Sequence, residues 1–219
     1  MEMNPGALAC DRRGRVCHSS AAIDRRSTGF TLIELLVVIV IIAVLMSIAF
    51  PVFQSIQNQA KKTQARNDLT QIVTAVNAFY TEYGKYPLVT ADTIYGPAGS
   101  NNPNKTLFDV LRGINILENP RHVVFISPPD AKDATQPRSG IGTAAATAGE
   151  YFDPWGTAYN IAIDGNYDNQ IANPYSTNAG SATLRLGVIA WSRGTDLGSE
   201  GAATDKNSGK NKDDVISWQ

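Results

Sequence analysis

The chain has 219 residues and a formal net charge of -1, with 19 basic against 20 acidic side chains. That balance argues against a general nucleic-acid surface, which needs a basic patch. The only cysteines, Cys10 and Cys17, precede everything that has the pattern of a folded domain, which excludes a disulfide framework or a thiolate metal site there.

Residues 1–29 read as a leader with five arginines: Arg12, Arg13, Arg15, Arg25 and Arg26. The run from Phe30 to Phe50 is then almost wholly apolar. As a helix rising about 1.5 Å per residue it measures about 31 Å, enough to cross a bilayer core. Basic flanks stay cytoplasmic, which predicts the rest of the chain on the outer side. One residue disagrees with the run: Glu34. A carboxylate in hydrocarbon costs roughly 2.5–3.5 kcal/mol on insertion scales, so it marks a functional site whose partner has to be found. An ordinary secretory signal is the competing reading, since Ser47-Ile48-Ala49 fits a small-x-small cleavage site. That reading leaves Glu34 without a role and cuts inside a helical pattern that continues past Pro51.

Gly29-Phe30-Thr31-Leu32-Ile33-Glu34, with Pro51 further on, resembles the processing site of type IV pilins and of the pseudopilins of type II secretion systems. The resemblance implies cleavage after Gly29 by a prepilin peptidase and N-methylation of Phe30. It also implies that Glu34 pairs with the N-terminal amine of a neighbouring subunit during assembly. Removing residues 1–29 takes five arginines and three acids (Glu2, Asp11, Asp24), leaving 14 basic and 17 acidic residues, net about -3. His18 goes with them. His122 then stands alone and reads as structural or solvated, with no nucleophile-elbow motif beside it.

After Pro51 apolar residues recur at Ile56, Leu69, Ile72, Val73, Val76, Phe79, Tyr80 and Tyr83. From Leu69 the spacing of three or four gives one face of a helix, with Lys61, Lys62, Arg66 and Asp68 among the polar positions. Gly84-Lys85-Tyr86-Pro87 ends it. The pattern predicts one helix from about Phe30 to Tyr83. Residues 30–51 would be its transmembrane and assembly part, and 52–87 its amphipathic part and exit. Pro51 removes a backbone hydrogen bond and predicts a kink or loosening.

Residues 88–219 read as a β-rich globular part. Gly96 to Asn104 is loop chemistry, Thr106 to Leu117 is spaced for a short helix, and Val123 to Pro129 is an extended segment stopped by prolines. Gly140 to Gly149 is small and polar, with the composition of a mobile loop. Asp153-Pro154-Trp155-Gly156 predicts a turn, followed by an alternating strand with Tyr159, Ile161 and Ile163 on one face. Leu184 to Ser192 predicts a second strand. The expected fold is α+β: a long N-terminal helix packed on a small antiparallel sheet, in the manner of pilins. The Asp-Pro-Trp-Gly turn, the Gly84–Pro87 exit and the lack of paired C-terminal cysteines resemble the major pseudopilin more than an adhesive pilin.

The tail gathers Asp196, Glu200, Asp205, Asp213 and Asp214 in a Gly/Ser/Asn-rich stretch. Ca²⁺ takes six to eight hard oxygen ligands. The resemblance to major pseudopilins implies a calcium site with Asp196, Asp213 and Asp214 as ligands, and the backbone carbonyl of Arg193 as a further oxygen. A solvated acidic loop is the alternative. The insertion from Leu197 to Lys212 departs from the family pattern, and its Lys206, Lys210 and Lys212 oppose a cation site.

Together these features lead us to expect a non-enzymatic subunit of a periplasmic pseudopilus that drives type II protein secretion. The alternatives are a type IV pilin of a surface fibre, and a secreted or membrane-anchored enzyme or binding domain. Expected partners are identical subunits, minor pseudopilins, the prepilin peptidase, an inner-membrane assembly platform and, before assembly, inner-membrane lipid. No nucleic acid is expected. The expected location is the inner membrane, single-pass with the C-terminal part in the periplasm, and then a periplasmic filament.

Overall fold

The computed structural model describes residues 30–175, 177–198 and 205–219, without the side chains of residues 48, 49, 51 and 52. The expected leader with Gly29, and Glu200 of the tail, lie outside the described residues. The chain divides into two compact units between Ala49 and Phe50. Helix α1, Leu32–Tyr83, belongs to both, and its helical assignment runs through Pro51 without a break.

In the first unit the apolar side chains of α1 are exposed, from Leu32 at 88% through Met46. Nothing among the described residues covers them. Among the described residues, no helix is long and apolar enough to cross a membrane. The span expected over 30–51 includes three of the four positions whose side chains lie outside the description.

The second unit has its own core. On α1, Ala65, Leu69, Ile72, Val76 and Phe79 are fully buried. They recur at three and four residues, so one stripe faces inward. Burying each of the larger ones contributes about 1.5–3 kcal/mol. Three positions differ from expectation. Ile56 and Tyr80, read as part of the stripe, are exposed. Asp68, read as polar surface, is buried and accepts a hydrogen bond from the Tyr159 hydroxyl at 2.8 Å. Its position one residue before Leu69 puts it on the inward face. Gly84 closes the helix, its amide bonded to the Tyr80 carbonyl at 2.8 Å.

Burial raises the Asp68 carboxyl above its ordinary value of 3.8, against the opposing Tyr159 hydrogen bond. A folded pKa above the unfolded one favours the folded state most at low pH. That contribution is lost as pH rises from 3.8 through the raised value. Asp68→Asn keeps an acceptor for Tyr159 and removes the titration. Urea unfolding at about pH 4 and about pH 8 should show a smaller loss of stability with pH in the variant than in the parent chain.

Opposite α1 lies a four-stranded antiparallel sheet, in the order β1 (Thr93–Tyr95), β4 (Asn160–Ile163), β7 (Val188–Ser192), β8 (Val215–Ile216). Ile161 pairs with Ala190 and with Tyr95, which fixes the register of the centre. Two ribbons flank it: β2 (Gly140–Ile141) with β3 (Tyr151–Phe152), and β5 (Ile171–Ala172) with β6 (Thr183–Leu184). Tyr159, Ile161 and Ile163 share one face, as their alternation predicts, and join the core under α1. The other face is covered as well. Ala162, Ile189, Trp191 and Ile216 pack there with Tyr175, Leu184 and Trp218. The stretch Gly140 to Gly149, expected as a loop, begins with β2.

The expected helix over Thr106 to Leu117 is shorter, α2 at Asn104–Leu111. Arg112 caps it through its amide to the Phe108 carbonyl at 2.9 Å, and Ile114 and Leu117 beyond it are exposed. Buried Asn119 organises the chain that follows. Its Nδ2 donates to the carbonyls of Val110 (2.9 Å) and Val123 (2.7 Å), and its Oδ1 accepts from the Tyr83 hydroxyl (2.7 Å). Val123 to Pro129, expected as an extended segment, joins no strand and bends at Phe125, whose amide bonds the Leu111 carbonyl at 2.8 Å. The strand expected from Leu184 to Ser192 is split between β6 and β7. The break covers residues 185–187 and ends at Gly187, where a Cβ would sit 2.0 Å from the Tyr86 hydroxyl oxygen.

Candidate functional site

The first site is the start of α1. Thr31 precedes the helix and Glu34 lies three residues on. The Glu34 Oε2 accepts from the Thr31 amide (2.9 Å) and the Thr31 hydroxyl (2.7 Å), and the Glu34 amide donates back to the Thr31 hydroxyl at 3.3 Å. This is a capping box, in which threonine and glutamate satisfy each other's open backbone donors. The cap was legible as Thr-x-x-Glu, and sequence reasoning that looked only for a cation missed it. Glu34 is the acidic residue of the first turn, where the positive end of the helix dipole favours it. Phe30, the residue expected to become methylated, is 82% exposed. The expected cleavage residue Gly29 lies outside the described residues.

The second site is the junction of β7 with the tail. It begins at Asp153, which is fully buried. Asp153 Oδ1 accepts from the amides of Trp155 (2.9 Å), Gly156 (2.7 Å) and Thr157 (2.9 Å). Its Oδ2 accepts from the hydroxyls of Thr157 (2.5 Å) and Ser192 (2.6 Å). The Asp-Pro-Trp-Gly turn is thus wound around its own aspartate and tied to the end of β7. Ser192 in turn accepts from the Gly194 amide at 3.2 Å, which leads into the tail.

Gly194 has φ of +67°, and a Cβ there would lie 2.6 Å from the backbone carbonyl oxygen and from the carboxylate of Asp213. Only glycine permits that approach. Asp213 accepts from the amide and hydroxyl of Thr195, and from the Asp196 amide at 3.2 Å. Desolvation opposes ionisation of Asp213, and the Thr195 donors outweigh it, holding the carboxyl below its ordinary range. Asp214 is 6% exposed. Its Oδ2 accepts from the Tyr175 hydroxyl at 2.6 Å, and its Oδ1 is buried with no hydrogen-bond partner. Burial pushes its carboxyl up to about 7, against the Tyr175 hydrogen bond and the charge of Lys206. Asp196 is exposed and accepts from the Gly198 amide at 3.0 Å.

The tail therefore brings Asp213 and Asp214 to one place and turns Asp196 to solvent. Among the described residues, no group of three or more His, Cys, Asp or Glu side chains is placed to hold a metal ion. The orphaned Asp214 Oδ1 has the chemistry of a calcium ligand. The rest of the set does not fit: Asp213 is committed to Thr195, Asp214 Oδ2 to Tyr175, and a buried lysine lies beside them. His122 is exposed, its Nδ1 donating to the Gly113 carbonyl at 3.0 Å, a local contact that completes a turn.

Residues 24–50 match the model of the prokaryotic N-terminal methylation motif. The chain is 36% identical to the type IV major pilin protein PilA of Myxococcus xanthus over 76 residues, covering 35% of this chain and 34% of that one. It is 38% identical to the type II secretion system core protein G of Pseudomonas aeruginosa over 63 residues, covering 29% and 44%. Against the core protein G of Dickeya chrysanthemi it is 34% identical over 65 residues, covering 30% and 42%. The chain thus spans less than half the length of the curated relatives it matches. No solved structure matches it significantly. In the methylation motif, in its matches to relatives named as pilins and as core protein G, and in a long N-terminal helix followed by a small antiparallel sheet, the chain is pilin-like.

Proposed function

We propose that the protein is a structural subunit of a periplasmic pseudopilus, the filament that drives type II secretion. The observation that carries this reading is the exposed apolar surface of α1 from Leu32 to Met46, opened by one capped carboxylate. An apolar surface of that size needs a cover. Lipid covers it before assembly, and the equivalent helices of identical subunits and minor pseudopilins cover it afterwards. Contacts between copies that do not close into a ring generate a helical filament. A prepilin peptidase and an inner-membrane assembly platform are the partners this route requires. Residues 30–51 would cross the inner membrane once, with the globular unit in the periplasm. The Asp153 turn, built into the end of β7, favours a pseudopilin. The pilin names among the relatives keep a surface fibre as the second reading. The relatives' names are those of filament and secretion proteins, which speaks against an enzyme.

Processing is the direct test. N-terminal sequencing and intact mass of protein from its host should find methylated Phe30. Gly29→Val should leave an uncut, membrane-bound precursor, because the peptidase must admit the backbone at a residue without a bulky side chain. A Met1 terminus in cells with an active prepilin peptidase would overturn the subunit reading. Filaments confined to the periplasm favour the pseudopilus, and fibres on the cell surface favour the pilus.

A further inference from the structure

Three tyrosine rings meet at the surface where α1 ends. The centroids of Tyr80 and Tyr86 lie 4.7 Å apart and those of Tyr86 and Tyr167 5.6 Å apart, both pairs stacked. Tyr80 and Tyr167 are 41% and 48% exposed, so the cluster keeps open apolar surface. Tyr167 is held there against the preference of its backbone. Its φ is +63° and that of Asn169 is +59°, in the left-handed region that residues other than glycine seldom occupy. Buried Asp164 holds the turn: its Oδ1 accepts from the Tyr167 amide and its Oδ2 from the Asn169 amide, each at 2.7 Å. The Tyr167 hydroxyl accepts from the Tyr86 amide at 2.9 Å.

A cleft of about 270 Å³ is lined by Asp168, Asn169, Gln170 and Arg185. Both of its walls are tied to the rings. Asp168 follows Tyr167 directly in the chain, and Arg185 lies two residues before Gly187, whose Cα sits against the Tyr86 hydroxyl. Asp168 Oδ1 accepts from the Gln170 amide at 2.9 Å. Among the described residues, the side chains of Asn169, Gln170 and Arg185 make no hydrogen bond or ion pair. The cleft therefore offers free donors and acceptors, one positive and one negative charge that cancel, and no apolar wall of its own.

We propose that this surface is a carbohydrate-binding site, in which the tyrosine rings stack on the C–H face of an uncharged sugar and the cleft bonds its hydroxyls. A sugar ring is apolar on its faces and polar around its edge, and the surface is divided in the same way. The planar ends of Asp168, Asn169, Gln170 and Arg185 carry paired acceptors or donors, which suit neighbouring hydroxyls. Cancelled charge in the cleft disfavours an anion or a cation as ligand, and its polar walls disfavour an apolar one. A protein partner would need about 800 Å² of buried surface per side; the cleft has the scale of a small ligand. The turn at Tyr167 is set by Asp164 before any ligand arrives, so binding does not have to order it. The site stands on the globular unit alone and holds for a pseudopilus or a pilus.

The test uses the full chain in dodecylphosphocholine, a detergent without a sugar headgroup. Saturation-transfer NMR from the aromatic protons reads the binding of cellohexaose, chitohexaose and maltohexaose, with oligogalacturonate as an acidic sugar. At least one neutral hexasaccharide should bind in the millimolar range or tighter and take up saturation on its ring C–H protons. Tyr167→Gly is the informative variant, since glycine accepts a φ of +63° and only the ring is lost. It should weaken binding about tenfold or more, as should Arg185→Ala, with melting temperatures close to the parent's. The exposed control Lys132→Ala should bind like the parent. Silence from all three neutral sugars would overturn the proposal, and so would a Tyr167→Gly chain that binds as its parent does. Binding of oligogalacturonate alone would assign Arg185 to an anion site and overturn it. Self-association that Tyr167→Gly abolishes and no sugar disturbs would make the rings a contact between copies, and overturn it too.

Discussion

Asp153→Ala should lower the stability of the globular unit by about 4 kcal/mol, a shift of roughly 10 °C in melting temperature. The substitution strips a fully buried carboxylate from the amides of Trp155, Gly156 and Thr157 and from the hydroxyls of Thr157 and Ser192. Hydrogen bonds to a charged group contribute about 1.5–3 kcal/mol each, but they share one acceptor group, so the loss is less than their sum. The donors left behind, buried at Trp155 and Ser192 and half-buried at Gly156 and Thr157, lose this acceptor, which is the larger part of the cost. Asp153→Asn should fall between, since its amide keeps one acceptor oxygen and sets an NH₂ against remaining donors. Asp130, whose side chain is exposed, is the control: Asp130→Ala should stay within about 0.5 kcal/mol of the parent. Chemical unfolding of the three variants is the measurement. An Asp153→Ala chain as stable as its parent would show that the turn forms without its aspartate.

Glu34→Leu should insert and be processed normally, because it lowers the insertion cost, and yet assemble poorly, by about tenfold or more per subunit contact. Two explanations of Glu34 make different predictions through a second variant. Glu34→Gln retains the capping box, which accepts either glutamate or glutamine at this position, and removes only the charge. If the carboxylate pairs with the Phe30 amine of a neighbour, the glutamine variant should assemble as poorly as the leucine variant. If Glu34 serves only to cap α1, the glutamine variant should assemble like its parent. Glu34→Asp should be intermediate, since the shorter side chain reaches less far. Filament counts by electron microscopy at matched expression read all three.

The parts of the fold legible in the sequence are those with a long period. Leu69, Ile72, Val76 and Phe79 repeat at helical spacing, and the helix runs where they place it, to Tyr83. Asp68 was misread because a carboxylate looks like surface until the hydroxyl that meets it is known. Tyr159 is 91 residues away in sequence, and no local pattern announces the contact. The two-residue strands were beyond reach for a similar reason. β2, β3, β5 and β6 are too short to show alternation, and they exist because of what they pair with. Residues 160–163 of β4 are buried on both faces, so alternation in the sequence did not report burial. At the candidate sites, the composition around Glu34 was informative and the Thr31 cap went unread. In the tail the acidic residues stood out, whereas Lys206 was read as an opponent of the site. Its burial comes from the fold of its own loop, which composition does not show.

The cap at the start of α1 has an entropic consequence. A free glutamate samples many rotamers, and freezing one costs about 1.5–2 kcal/mol. In an ordinary ion pair between two molecules that cost falls on association. Here the two Thr31 donors already hold Oε2, and among the described residues Oε1 makes no hydrogen bond. The side chain is therefore set before a second molecule arrives, with one oxygen bound and the other presented. Ordering happens when the helix forms, and a later partner meets a rigid acceptor, so more of the attraction between the two remains as net binding.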